Sequence, residues 1–212
     1  MGCGASSGNG KKAQKLELQE TKIAAFDEAF QKFEAPTNRL VEMQNNMNEA
    51  DACINKLEEV EGTLGAKLKK AKIMKDKLEI IFDDLKANKV EFELEEAEGG
   101  GIKLVPKGNT EGSQIGQAVE AILGLVEAGV AIITGVPPLI VEITELIQTV
   151  VDFPAKAKEE AQNAGLSGMD AMKAVKNTGT NLAQIQNVPT IANLCVATTK
   201  ELFATLKELC KK

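Results

Sequence analysis

The stretch that decides the fold is residues 40–85, LVEMQNNMNEADACINKLEEVEGTLGAKLKKAKIMKDKLEIIFDDL. Its apolar residues recur at alternating spacings of three and four, with one 3-3 slip around Ala71, as in a coiled-coil seam, and this predicts helix. A continuous helix would be a rod of about 65–70 Å at 1.5 Å per residue. Gly62 and Gly65 would instead allow a helical hairpin, and the sequence leaves both arrangements open. The seam is predicted to pack within the chain or against a second copy, and its members are Leu40, Met43, Met47, Ala50, Ile54, Leu57, Leu64, Leu68, Ala71, Met74, Leu78, Ile81 and Leu85.

The segments on either side of the seam have different periods. Residues 15–34 place Leu16, Ile23, Phe26, Phe30 and Phe33 at helical spacings, which predicts a helix that Pro36 ends. After the seam, residues 90–95 and 102–104 alternate between apolar and charged residues around three consecutive glycines at 99–101. This pattern favours a β-hairpin with one apolar face and complementary Glu and Lys on the other, over a frayed helix followed by a linker.

The second half of the chain is predicted to be helical throughout. A helix begins at Ser113, and Gly135–Pro138 are expected to break it so that residues 128–151 form the tip of an αα-hairpin. Another helix starts near Pro154, and Pro189 is expected to precede the last one. Between them, residues 166–186 form a weaker amphipathic segment whose predicted apolar face is Met169, Met172, Val175, Leu182 and Ile185.

Composition supports a helical protein and excludes several kinds of chemistry. The chain has 212 residues, 43% hydrophobic and 3% aromatic, so its core must consist mainly of aliphatic side chains. It contains no histidine, which removes Ser-His and Cys-His nucleophile pairs and imidazole metal ligands. Its four cysteines form no C-x-x-C pair, and its net charge of −6 argues against nucleic acid as a partner. We therefore predict no catalytic residues, no metal site and no cofactor.

The predicted fold is mainly all-α: an elongated bundle of about five or six helices with a coiled-coil-like segment and one small β-hairpin. The predicted segments are a tether over 1–14, a long helical region over 15–98, a glycine-rich hairpin or linker over 99–112, and a helical bundle over 113–212.

The chain opens with Met1-Gly2-Cys3-Gly4-Ala5-Ser6-Ser7. Once Met1 is removed, this run matches the N-myristoylation pattern M-G-x-x-x-[ST]. These seven residues resemble the dual-acylation leader of Src-type kinases and G-protein α subunits. The resemblance implies myristate on Gly2, palmitate on Cys3 and recognition of Ser6, and it names no family for the rest of the chain.

The residues that follow the leader fit a membrane anchor. One myristoyl chain binds a bilayer only marginally, with a partition constant of roughly 10⁴ M⁻¹, whereas a second chain adds about 0.8 kcal/mol per buried CH₂. Lys11, Lys12 and Lys15 would each add up to about 1 kcal/mol beside an anionic leaflet. Cys210 is a candidate for a third acylation site, in addition to Gly2 and Cys3. It is not a prenylation site, because it is third rather than fourth from the carboxyl end.

Two other stretches have both a structural and a membrane interpretation. Lysines crowd residues 67–77, either as the solvated back of a helix or as a contact for anionic lipid or an acidic protein. Residues 128–141 are uncharged, which favours burial inside the protein but also allows a hairpin that dips into lipid. The candidate lipid-inserting residues are Val130, Ile132, Ile133, Val136, Leu139 and Ile140.

These features predict a non-enzymatic, lipid-anchored peripheral membrane protein. It would act as a helical scaffold or adaptor on the cytosolic face of a eukaryotic membrane, either plasma or ciliary. Its partners would be anionic membrane lipids, proteins bound along its helical surface, or a second copy, but not nucleic acid. One alternative is a membrane-inserting or membrane-remodelling protein that uses residues 128–151. Another is a cytoskeletal or ciliary structural protein linked to the membrane.

Overall fold

The structure, a computed structural model, describes residues 13–97 and 100–211. These residues form mainly helices with one antiparallel pair of strands, which confirms the predicted class of a mainly α protein with a small β-hairpin. The helices are α1 (Ala24–Gln31), α2 (Glu34–Lys56), α3 (Thr63–Leu68), α4 (Met74–Ala87), α5 (Ser113–Val150), α6 (Phe153–Asn163) and α7 (Gly168–Lys211), with a short 3₁₀ turn at Leu57–Glu59; the strands are β1 (Glu91–Glu96) and β2 (Ile102–Lys107).

The described residues divide into two compact units, each built from segments distant in sequence. Unit 1 contains Gln14–Glu42 and Pro137–Asn193, and unit 2 contains Met43–Val136 and Leu194–Lys212. The predicted segments 15–98 and 113–212 therefore each contribute residues to both units.

Unit 1 has an aromatic cluster at its centre. Phe26 of α1 stacks on Phe153 at the start of α6, with ring centroids 3.9 Å apart and planes within 10°. Phe30 meets the same ring edge-on at 5.6 Å. Such pairs contribute about 0.5–1.5 kcal/mol beyond the burial of their area, so they hold the short α1 against α6.

Unit 2 has an aliphatic core to which the seam contributes. Fully buried side chains come from α2, α3, α4, α5 and α7, and they include Ile54, Leu68, Leu78, Ile81, Ile122, Leu125 and Leu206. The β-hairpin packs on this core through Phe92, whose ring lies 5.3 Å from that of Phe82 on α4.

The β-hairpin has the two faces that its alternation predicts. Phe92, Ile102 and Leu104 are buried, and Glu95 lies directly opposite Lys103 across the strands. The Lys103 ammonium is 2.7 Å from Glu95, and that of Lys107 is 2.9 Å from Glu93. The pKa of the Glu95 carboxyl is lowered by its hydrogen bond with Lys103 and the charge of that lysine. The hairpin prediction is confirmed, including its complementary charges.

The prediction of a helix from Lys15 was wrong for its first half. Helix α1 begins at Ala24, and residues 13–23 carry no regular secondary structure. Pro36 does not end a helix either, because the break falls at Lys32–Phe33 and Pro36 lies in the first turn of α2. A proline is tolerated there because the amide groups of a first turn have no intrahelical partner.

The seam is neither one rod nor a simple hairpin. Helix α2 ends at Lys56, and α3 and α4 follow as separate helices. Gly62 has a φ of +112°, and a Cβ on Gly65 would lie 2.0 Å from the Val60 carbonyl oxygen. Only glycine fits this close turn. The seam leucines still point inward, since Leu57, Leu64, Leu68, Leu78 and Leu85 are all buried.

The predicted break at Gly135–Pro138, and with it the αα-hairpin tip, was wrong. Helix α5 runs without interruption through Pro137 and Pro138. Each proline lacks an amide hydrogen and costs a helix interior about 3 kcal/mol. Burial of the flanking apolar residues offsets this cost at about 1.5–3 kcal/mol each. They are Ile132, Ile133, Val136, Leu139 and Ile143.

Helix α7 is likewise continuous through Pro189, which was predicted to separate two helices. Here Ile185, Val188 and Ala192 are buried around the proline. The predicted apolar face of residues 166–186 was partly wrong. Leu182 and Ile185 are buried, but Met169 and Met172 are 71% and 68% exposed, and Val175 is also exposed.

Candidate membrane-contact site

The predicted anchor lies outside the residues that the structure describes. This applies to Gly2, Cys3 and Ser6, and to the lysines at 11 and 12. Lys15 is described and is exposed to solvent.

Residues 13–23 form a strap without regular secondary structure, and asparagine side chains bind its backbone. The Gln19 amide donates to Asn181 Oδ1 at 2.8 Å, and Asn181 Nδ2 donates back to the Gln19 carbonyl at 2.7 Å. Asn177 Nδ2 donates to the Glu20 carbonyl at 2.7 Å. Asn181 is fully buried, so these bonds also satisfy its own polar atoms. Sequence periodicity missed both asparagines, because an asparagine within a helix gives no signal of a long-range partner.

The carboxyl end of the strap is fixed next to α1. Asp27 Oδ1 accepts from both the Thr21 amide and the Thr21 hydroxyl, each at 2.8 Å. Lys22 lies 3.0 Å from Asp170 of α7 in a solvent-exposed ion pair. Exposed pairs contribute little, so the asparagine and threonine bonds hold the strap.

Most of the candidate lipid-inserting residues face the protein interior. Ile132, Ile133, Val136 and Leu139 are buried, while Val130 and Ile140 are partly buried. Among the described residues, the segment Gln114–Val150 is long and apolar enough to cross a membrane. However, 56% of its most apolar 18-residue stretch is buried in the protein. A buried core helix of a soluble protein has the same length and apolar composition. Contact of this segment with lipid would require these side chains to leave the core.

The lysine-rich segment spans the end of α3, the turn that follows it and the first residues of α4, and its lysines lie on the surface. We call residues 67–75 the α3–α4 basic loop. Its lysines, Lys67, Lys69, Lys70, Lys72 and Lys75, are all exposed, and Ile73 between them is 51% exposed. The sequence pattern did not single out Ile73, because it lies one position before the seam residue Met74 and its exposure depends on the break between the helices.

Lys77 differs from these lysines and belongs to the protein interior. Its ammonium donates to Asn55 Oδ1 and Glu58 Oε1, both at 2.5 Å. Burial raises the pKa of nearby Asp51 to about 6 from 3.8, and the positive charge of Lys77 only partly opposes this. The group joins the end of α2 to α4 and is not part of the exposed basic surface.

Two cavities in unit 2 contain free thiols. One of about 710 Å³ lies between residues 50–61 and residues 114–124 and is lined by Cys53, which is exposed. One of about 270 Å³ is lined by Cys210 and Phe92. Burial raises the pKa of the Cys210 thiol, with the charge of Lys86 opposing. A raised pKa lowers the thiolate fraction, which makes this residue less reactive toward acylation.

The described residues contain no group of three or more Cys, Asp or Glu side chains arranged to hold a metal ion. Comparison with protein-family models, with curated proteins and with solved structures finds no match for the chain.

Proposed function

We propose that this protein is a non-enzymatic, lipid-anchored peripheral membrane protein that presents a helical scaffold on the cytosolic face of a eukaryotic membrane. The observation that carries the proposal is the leader, in which Gly2, Cys3 and Ser6 fall in register with the dual-acylation pattern. Two acyl chains provide stable anchoring where one does not.

The described residues support this proposal in two ways. The strap would connect an anchored leader to the helical body, and it is fixed there by Asn177 and Asn181. The body offers long exposed helix faces, such as that of α7 with Met169 and Met172, on which a protein partner would bind. Methionine suits such surfaces because it is flexible and polarisable.

Intact-mass analysis and membrane flotation of the protein from eukaryotic cells test the anchor. The wild type is expected to carry myristate and palmitate and to float with membranes. Gly2→Ala is expected to lose both lipids and become soluble, and Cys3→Ser to keep myristate but bind only weakly. Ser7→Ala, one residue beyond the pattern, is the matched control and should behave like the wild type. An unmodified wild-type mass, or full flotation of Gly2→Ala, contradicts the proposal.

The second candidate function is insertion of residues 128–151 into lipid, favoured by the length and apolar composition of α5. Liposome leakage, together with photolabelling from the acyl region confined to residues 128–151, would support it. Labelling restricted to the amino terminus would exclude it.

A further inference from the structure

We infer that the α3–α4 basic loop is a second membrane contact, which docks on anionic lipid headgroups while Ile73 enters the acyl boundary. This inference deepens the proposed function, because it gives the anchored protein a preferred lipid and a surface that faces the bilayer. It rests on exposure, charge and the rigidity of the helices that carry the loop.

The charge of the loop is concentrated and uncompensated. Between Glu61 and Asp76 the sequence contains no acidic residue, although the whole chain has a net charge of −6. Within the described part of the chain, none of the five loop lysines has a carboxylate within 4 Å. Their charges are therefore available to an anionic surface, at about 1 kcal/mol each, or about fivefold in affinity.

The loop also presents an apolar tip. Ile73 lies at the amino end of α4 with half of its side chain exposed and lysines at 72 and 75 beside it. An exposed large aliphatic residue within a cluster of cations is suited to the boundary between headgroups and acyl chains, where both groups find partners.

The helices on either side hold the loop in place. Leu64 and Leu68 of α3 are buried, as are Leu78 and Ile81 of α4. The Lys70 and Ala71 amides donate to the carbonyls of Lys67 and Leu68, both at 3.0 Å, which closes the end of α3. Docking therefore needs no reordering of the helices that carry the loop, and this keeps its entropic cost low.

The composition of the loop favours a bilayer over nucleic acid. Nucleic-acid grooves combine cations with aromatic side chains on which bases stack, and arginine is preferred for bidentate contacts with phosphate. The loop contains neither an aromatic residue nor an arginine. Lysine is a compact point charge, which suits a diffuse anionic surface.

Vesicle binding by the full-length, unacylated chain tests the inference separately from the anchor. We expect binding to phosphatidylcholine vesicles that contain 30% phosphatidylserine, no binding to pure phosphatidylcholine, and loss of binding in high salt. The triple variant Lys69→Gln, Lys70→Gln, Lys72→Gln should bind about 100-fold more weakly, at about fivefold per lysine.

The matched control removes the same charge from an exposed part of α7, as Lys173→Gln, Lys176→Gln, Lys200→Gln. It should stay within about threefold of the wild type, since these lysines lie outside the loop. Equal losses in the two triple variants would show that only bulk charge matters and would overturn the inference. Failure of the wild-type protein to bind anionic vesicles would also overturn the inference, whether or not the protein binds RNA or an acidic protein. Thermal unfolding of each variant checks that the fold is intact.

Insertion of Ile73 has a clean optical test, because the chain contains no tryptophan and no tyrosine. Ile73→Trp therefore introduces the only indole. Its emission should shift to the blue on anionic vesicles and be quenched by brominated acyl chains. Val141→Trp, at an apolar residue of α5 that is 57% exposed, should show neither change. A response from Met169→Trp but not from Ile73→Trp would assign the contact to α7 and refute the inference.

These outcomes separate the inference from the proposed function. Unacylated protein that fails to bind anionic vesicles disproves the loop contact and leaves the anchor intact. Bare protein from eukaryotic cells disproves the anchor and leaves vesicle binding by the loop intact.

Discussion

Gly129 of α5 packs directly against α7 in unit 2, and replacing it with alanine should destabilise the protein. An added Cβ would lie 2.6 and 2.7 Å from Cε1 and Cζ of Phe203 and 3.2 Å from Cγ2 of Thr199. The Phe203 ring is buried and has no flexible end to move aside. Overpacking of this kind costs about 1–3 kcal/mol. Alanine also gains about 0.8–1 kcal/mol of helix propensity over glycine, which offsets part of that cost.

Gly124 of the same helix is the matched control, because a Cβ there meets nothing within 4 Å. Gly124→Ala should gain the same propensity without the clash and become more stable by up to about 1 kcal/mol. The difference between the two variants therefore isolates the steric cost. Gly135→Ala should fall between them, because its nearest neighbour is the flexible end of the Met43 side chain.

Urea unfolding followed by far-ultraviolet circular dichroism measures these changes, with m-values compared among the variants to test for a single transition. Replacing the Phe203 ring with leucine should relieve part of the cost of Gly129→Ala in a double-mutant cycle. Equal stabilities for the Gly124→Ala and Gly129→Ala variants would refute the close packing of α5 on α7 at this point.

Two further predictions concern buried polar groups. Asp51→Asn should raise the free energy of unfolding by up to about 2–3 kcal/mol at pH 7.5 and by little at pH 4. The folded state raises the pKa of Asp51 to about 6 from 3.8, so its ionisation costs stability as the pH rises through that interval. Urea midpoints from pH 4 to 8 measure this, and an Asp51→Asn variant less stable than the wild type at pH 7.5 would contradict it. Asn181→Ala should release the strap at Gln19, since two hydrogen bonds of about 0.5–1.5 kcal/mol each are lost. Hydrogen exchange of the Gln19 amide should accelerate, whereas Asn187→Ala, whose side chain bonds only within α7, should leave it unchanged.

Sequence periodicity predicted the helices and the hairpin correctly where the local residue preferences favour the same structure as burial of the apolar side chains. Alternation around Gly99–Gly101 gave the hairpin and its facing charges, and the seam gave buried positions even where its helix is broken. It failed at Pro137, Pro138 and Pro189, because burial of the neighbouring side chains outweighs the local cost of a proline.

The candidate site was less predictable, because its features depend on tertiary contacts. The strap depends on Asn177 and Asn181, which lie far from it in sequence. The exposure of Ile73 depends on the break between α3 and α4, which falls at the 3-3 slip around Ala71, but the slip alone does not distinguish a break from a continuous helix. The lysines of 67–77 gave the charge, but the pattern could not separate Lys77, whose partners are Asn55 of α2 and Glu58 of the 3₁₀ turn after it, from the exposed ones.

The burial and charge of the α5 side chains favour membrane binding through an acylated leader over insertion of α5 into the bilayer. Its buried residues Ile132, Ile133, Val136 and Leu139 already have apolar neighbours in the protein, so moving them into lipid gains little. The same move would carry Glu142 and Glu145, which lie within residues 128–151, toward the hydrocarbon. A carboxylate near the centre of a bilayer costs about 2.5–3.5 kcal/mol by insertion measurements. Insertion of α5 would thus disrupt a packed apolar core and place two carboxylates in the hydrocarbon, both of which cost free energy. An acylated leader would instead reach the membrane while the helical body stays folded.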